Sequence, residues 1–262
     1  MVLLPGLTAI VVVAASFFLG YAFYRQSSRK DGRAGATGAS RRAPSALVTH
    51  GLMEYVYWLL TPVERALLYL GATPKALTLA GLALCAAAGA FAAASAVAAA
   101  GVFYLAGGIL DILDGRVARS SGKATRAGAL LDSVCDRWAE FLVLGGIAFA
   151  LRADAFGMIA VLVATAGSQM VSYTRARAEA LGVSLAVGLM QRSERIILVG
   201  LGLLVAGAVD HVGPQASTGV LTLVLMFVGA TSLVTAIRRL VIAMDAIAEP
   251  KPMVQGGLGR GG

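Results

Sequence analysis

The chain is expected to be an all-α integral membrane protein: a six-transmembrane-helix core with an N-terminal interfacial helix and an additional N-terminal transmembrane anchor. Three observations predict this. Of 262 residues, 58% are hydrophobic and only 14% charged, where a soluble domain carries about 25% charged residues. The mean hydropathy is +0.80, and the apolar residues gather into runs of about 20, the length that crosses a hydrocarbon core of about 30 Å. When those runs are made to alternate across a bilayer, the Lys and Arg residues collect on one side. The net charge of +8 is then explained by basic cytoplasmic loops, so the expected partner is the lipid bilayer and no nucleic acid is called for. The two cysteines, Cys85 and Cys135, lie in apolar runs and offer neither a disulfide framework nor metal-ligand spacing.

The elements follow in order. Residues 1–24 contain the apolar run Val2 to Tyr24, whose positive charges come after it, beginning at Arg25. It lacks the positive n-region of a signal peptide and is expected to be a retained anchor with its N-terminus outside. Residues 25–44 are rich in Gly, Ala, Ser and Arg, which predicts a basic flexible linker able to lie against anionic headgroups. Residues 45–72 mix Tyr55, Tyr57, Trp58 and Tyr69 with His50, Glu54, Glu64 and Arg65, interrupted at Pro62. That mixture suits helices lying along the interface. Residues 73–248 hold six expected spans, at about 76–100, 102–119, 125–151, 155–181, 193–210 and 216–245. Alternation puts Lys75, Arg116, Arg119, Lys123, Arg126, Arg137, Arg175, Arg177, Arg192, Arg195, Arg238, Arg239, Lys251 and Arg260 together with the 25–44 linker, and leaves Arg152 on the other side. The loaded side is expected to face the cytoplasm from the cell membrane. The Gly-rich tail, 249–262, is expected to be disordered.

Four carboxylates carry the chemistry. Asp111 and Asp114 are three apart and share a face of the second core span; Asp132 and Asp136 are four apart and share a face of the third. A short polar turn around Ser120–Lys123 lets these helices pack antiparallel, so all four can converge. A carboxylate at mid-membrane costs roughly 2.5–3.5 kcal/mol, and four together repel one another unless they are protonated or cations are supplied. Hard divalent cations prefer carboxylate oxygen. Two such ions about 4 Å apart can clamp the attacking and leaving oxygens of a displacement at phosphorus. Gly115 and Gly128 lack side chains where a nucleotide or a partner helix could approach, and Arg119 is placed to contact phosphate or ribose. Each has a plainer alternative: helix packing for the glycines, a basic flank for the arginine.

The string from Asp111 to Asp136 fits D-x2-D-G-x2-A-R-x8-G-x3-D-x3-D at all eight fixed residues over 26 positions. It therefore resembles the CDP-alcohol phosphotransferase family, and the resemblance covers about residues 45–248. It implies that an alcohol hydroxyl attacks a CDP-linked lipid, CDP-diacylglycerol being the expected donor, and that CMP leaves. It further implies two Mg²⁺ or Mn²⁺ per active site held by Asp111, Asp114, Asp132 and Asp136, with Asp136 as general base. By the same resemblance Asp114, Gly115, Ala118, Arg119 and Gly128 line the CDP-lipid site. The segment Thr73-Pro74-Lys75-Ala76-Leu77-Thr78 is similar to the T-P-N-x-x-T element that opens the family's first core span. It adds Pro74 and Thr78 to that site, with Lys75 where Asn or Asp is usual. A homodimer is expected from the family.

The acceptor is addressed by Ser172-Tyr173-Thr174-Arg175-Ala176-Arg177-Ala178-Glu179 and by Gln191-Arg192-Ser193-Glu194-Arg195. Four arginines at the mouth of an acidic site could take a phosphate or could be a basic flank, and Arg175 could simply pair with Glu179. The two strings resemble the inositol-phosphate-using members of the family, with Gln191 and Ser193 where Glu and Pro are usual. That resemblance implies Arg175, Arg177, Arg192 and Arg195 as the acceptor-phosphate site, with inositol phosphate as acceptor and glycerol 3-phosphate as the alternative. The reading from another class is a membrane cation transporter, whose carboxylates would line an ion path.

Overall fold

The computed structural model describes residues 15–27, 49–185 and 188–248. All the regular structure among them is helical. Residues 15–27 form α1; the helices that follow are α2 (His50–Tyr69), α3 (Pro74–Ala93), α4 (Val97–Ser120), α5 (Arg126–Ala150), α6 (Ala155–Ala180), α7 (Arg192–Val209) and α8 (Pro214–Ala248), with a 3₁₀ turn at Asp210–Val212. The start of the expected anchor, the expected linker beyond residue 27 and the expected tail lie outside the described residues.

Local chemistry sets the helix starts. Thr73 caps α3, accepting from the amide of Ala76 at 3.2 Å, and Pro74 occupies the first helical position, where no amide is needed. Thr125 caps α5 by accepting from the amide of Gly128 at 3.0 Å. Asp154 caps α6 through the amide of Phe156 at 3.1 Å. At α7 the Glu194 carboxylate turns back to the amide of Gln191, the return half of a capping box. Between α4 and α5 the predicted polar turn is present, with Gly122 at φ 66°, a backbone conformation that follows many helix ends and favours glycine.

Two expectations are corrected. Pro62 does not break the 45–72 region: α2 runs through it. Thr61 Oγ1 donates to the Tyr57 carbonyl at 2.8 Å, and Arg116 Nη1 donates to the same oxygen at 2.6 Å, so polar groups gather at the turn that the proline weakens. The first core span ends at Ala93 rather than near 100, and α4 begins at Val97. The Ala-rich sequence there carries no Gly or Pro to mark the turn, which is made by Ser95 at φ 62°.

Five helical stretches among the described residues are long and apolar enough to cross a membrane: α3, α4, α6, α8 and Arg192–Val212. The sixth expected span, α5, is 25 residues long, about 37 Å, but carries Arg126, Asp132, Asp136, Arg137 and Glu140. Its length suffices; its composition departs from that of a plain lipid-facing span. It packs along α3, which also packs on α4; α4 meets α7, α7 meets α8, and α8 lies along α6. Small residues make these crossings close. A Cβ on Gly107 would lie 2.6 Å from Cys85 Sγ, and one on Gly146 would collide with the Gly89 carbonyl. Both cysteines are free and buried.

Candidate active site

The ends of α4, α5 and α7 meet beside the start of α3. Asp111, Asp114 and Asp132 each bring a carboxylate oxygen to within 4.8 Å of the other two. Asp114 is 5% exposed. Its Oδ2 lies 2.6 Å from Thr78 Oγ1, which also reaches the Pro74 carbonyl at 3.0 Å. The Thr-Pro segment thus touches the carboxylate cluster directly, across the α3–α4 crossing. Three carboxylates this close, from two helices, form a donor set that suits a hard divalent cation, and their mutual repulsion favours holding one.

Asp136 lies one helical turn beyond Asp132, facing the same cleft. Arg192, in the first turn of α7, joins it to the rest: Nη1 is 2.5 Å from Asp111 Oδ1 and Nη2 is 2.8 Å from Asp136 Oδ1. A narrow cleft runs inward from here, lined by Thr78, Gly81, Cys85, Gly107, Asp111, Asp114, Asp136 and Arg192.

The other expected residues fall around this centre. Gly115 and Ala118 are half-buried on α4. The Arg119 guanidinium folds back over Gly115, where an added Cβ would lie 3.2 Å from Nη1, so the missing side chain leaves room for the arginine one turn from Asp114. Gly128 supplies the amide that Thr125 caps, and its absent Cβ would sit 3.1 Å from that hydroxyl. Arg175 and Arg177 are exposed near the end of α6, with Arg175 Nε 2.8 Å from Glu179 Oε1. Of the four arginines expected at an acceptor phosphate, Arg192 stands at the carboxylates. Arg195 does not share that exposure: it is 1% exposed and paired with Glu140 at 2.6 Å.

A profile of the CDP-alcohol phosphatidyltransferase family matches residues 71–244. The chain belongs to that family. As a CDP-alcohol phosphatidyltransferase it is a metal-dependent membrane enzyme, which sets aside the transporter reading. The phosphatidylinositol phosphate synthase of Mycobacterium marinum is 38% identical over 53% of this chain and 61% of its own length. The corresponding synthase of Mycobacterium tuberculosis is 36% identical over 69% of this chain and 83% of its own. An archaetidylinositol phosphate synthase from Methanothermobacter thermautotrophicus is 39% identical over 52% and 67%. Against the first of these relatives the match thus spans about three fifths of the relative's length. Crystal structures of the M. tuberculosis synthase PgsA1 align at 31% identity. The complex with CDP-DAG gives a TM-score of 0.60 over 70% of this chain and 92% of that one; the complex with manganese and citrate gives 0.61 over 70% and 88%.

Two buried ion pairs beside the centre escaped the sequence reading. Glu64 of α2 takes Arg116 Nε at 2.6 Å and the Ser120 hydroxyl at 2.6 Å, while Arg116 Nη2 reaches Thr61 Oγ1 at 3.1 Å. Arg116 also lies over the Tyr57 ring, 4.9 Å from its centroid. The second pair is Glu140 with Arg195. Its signal was available: Asp132, Asp136 and Glu140 recur every fourth residue, along one face of α5.

Proposed function

We propose that this phosphatidyltransferase transfers the phosphatidyl group of CDP-diacylglycerol to a hydroxyl of inositol phosphate, releasing CMP and forming phosphatidylinositol phosphate. The single observation that carries the reading is Arg192, a guanidinium standing against the carboxylate cluster where an acceptor's phosphate would arrive. The named relatives agree with it: several are phosphatidylinositol phosphate synthases, and one solved relative holds CDP-DAG.

Asp111, Asp114, Asp132 and Asp136 would hold two Mg²⁺ or Mn²⁺. Such ions, when bound, stabilise charge on the diphosphate and its leaving oxygen. Thr78 orients Asp114 by its 2.6 Å contact. Asp136 accepts the proton of the acceptor hydroxyl. The new bond forms between that oxygen and the lipid-side phosphorus; the bond from this phosphorus to the CMP oxygen breaks, and its electron pair leaves with CMP. Gly115, Ala118, Arg119 and Gly128, with Pro74, would line the nucleotide end. Arg192 would orient the acceptor phosphate bidentately, with Arg175 and Arg177 drawing it toward the cleft. The active site would face the cytoplasm, in a homodimer within the cell membrane.

An acceptor panel tests the assignment. Detergent-purified protein with CDP-diacylglycerol is offered inositol phosphate, glycerol 3-phosphate, inositol or serine, and CMP release is followed. Turnover is expected with inositol phosphate; preference for glycerol 3-phosphate would overturn the acceptor, and preference for an unphosphorylated alcohol would overturn the role of Arg192 as well.

A further inference from the structure

A ladder of two rungs joins α5 to α7. Asp136 and Glu140 are four apart on α5, and Arg192 and Arg195 are three apart on α7, so each set lies along one helix face. The outer rung is Arg192 with Asp136, 2.8 Å apart, with 23% and 18% of their side chains exposed. The inner rung is sealed. Arg195 donates from Nε to Glu140 Oε1 at 2.6 Å, from Nη2 to Oε2 at 3.1 Å and from Nη1 to the Met190 carbonyl at 3.2 Å. Glu140 is 6% exposed, and both Arg195 and Met190 are 1% exposed.

With all three guanidinium nitrogens engaged and almost no surface open, Arg195 is built as a fixed point. Cohesion alone does not call for such a pair, because apolar replacements of buried ion pairs are often neutral or stabilising. A two-bond fork does what apolar packing does less well: it fixes the rotation and depth of one helix against another. From this we infer that Glu140 is a positioning residue for the acceptor. Acting through Arg195, it sets the first turn of α7 so that Arg192, one turn away, points its guanidinium into the cleft mouth at Asp111 and Asp136. The inference rests on the proposed phosphorylated acceptor. It adds a residue outside the aspartate motif and gives Arg195 a supporting role in place of direct contact.

The test measures kcat and a separate KM for each substrate on the full chain in detergent, using whichever phosphorylated acceptor the wild type turns over. If that is glycerol 3-phosphate alone, the proposed acceptor fails while the Glu140 series still decides this inference. Glu140→Gln is expected to raise the acceptor KM about tenfold and to leave the CDP-diacylglycerol KM within about twofold. Glu140→Asp should recover part of the loss. The double variant Glu140→Met with Arg195→Met leaves no charge unpaired and serves if the single variant does not fold; it is expected to fold and to keep the raised acceptor KM. A wild-type acceptor KM in the double variant, or equal rises for both substrates in Glu140→Gln, would overturn the inference. Failure of both to fold would overturn it too, by making the pair a structural requirement.

Discussion

Asp132 and Asp136 bring two carboxylates to the face of α5 that meets Asp111 and Asp114, where their charge can draw a cation. Replacing either by Asn keeps the shape and removes the charge that draws a cation. Asp132→Asn or Asp136→Asn is therefore expected to give folded protein, by thermal melt, that releases no CMP from CDP-diacylglycerol. Full chelation by EDTA should abolish wild-type turnover; activity that survives it would refute the metal role. Thr78 makes a subtler case. Its hydroxyl, 2.6 Å from Asp114 Oδ2, is an outer-shell contact of the kind whose loss costs about 10–100-fold in metal affinity. Thr78→Val should weaken Mn²⁺ binding by about that factor in an EPR titration, and Thr78→Ser should not. The carboxylate cluster was legible in the sequence because i,i+3 and i,i+4 spacing converts directly to a shared helix face. The partners of the arginines were not legible: Arg195 and Glu140 are 55 positions apart, and only the folded packing of the helices brings them together.

Helices met the expectations where a cap or a charge run marks an end, and missed them where neither exists. Thr73-Pro74 and Thr125 announce α3 and α5. The alanine-rich stretch around Ser95 hides a turn, and Pro62 announces a break that tertiary contacts override. Those contacts give α2 its measurable role. Glu64 and Arg116 have only 11% and 12% of their side chains exposed, and removing one partner from a buried pair costs about 3–5 kcal/mol. Glu64→Gln should accordingly lower the melting temperature in detergent by roughly 5–15 °C, and a cycle with Arg116→Met should recover part of the loss. An unchanged melting temperature would mean that α2 is not fastened to α4 by this pair. The same helix holds α1, where Phe17, Tyr21 and Tyr24 lie 5.2, 5.7 and 5.6 Å from the Tyr55 ring, centroid to centroid. The close crossing of α3 and α5 answers to a different variant. Gly146→Leu would drive a side chain into the Gly89 backbone, so it should fail to accumulate as folded protein or lose CMP release, while Gly145→Leu, where an added Cβ meets nothing within 4 Å, should be tolerated.

Taken together, the helices put all the reactive chemistry at one end of the bundle. Thr78 at the start of α3, Asp111 and Asp114 near the end of α4, Asp132 and Asp136 near the start of α5 and Arg192 at the start of α7 are in mutual reach, which requires the helices between them to run in alternating directions. The turns at 94–96, 151–154 and 210–213 therefore belong to the opposite end. Lys75, Arg116, Arg119, Lys123, Arg126, Arg175 and Arg177 accompany the reactive end and Arg152 lies at the other, and Lys and Arg are retained on the cytoplasmic side of membranes. Single cysteines can read this orientation, since the native Cys85 and Cys135 are buried and can first be replaced by Ala. In sealed right-side-out vesicles, Ala153→Cys in the turn before α6 should react with a membrane-impermeant maleimide without lysis. Lys123→Cys, in the turn between the two aspartate helices, should react only after the vesicles are opened. The reverse pattern would put the acidic cleft outside, away from cytoplasmic nucleotide, and would overturn the proposed cytoplasmic orientation.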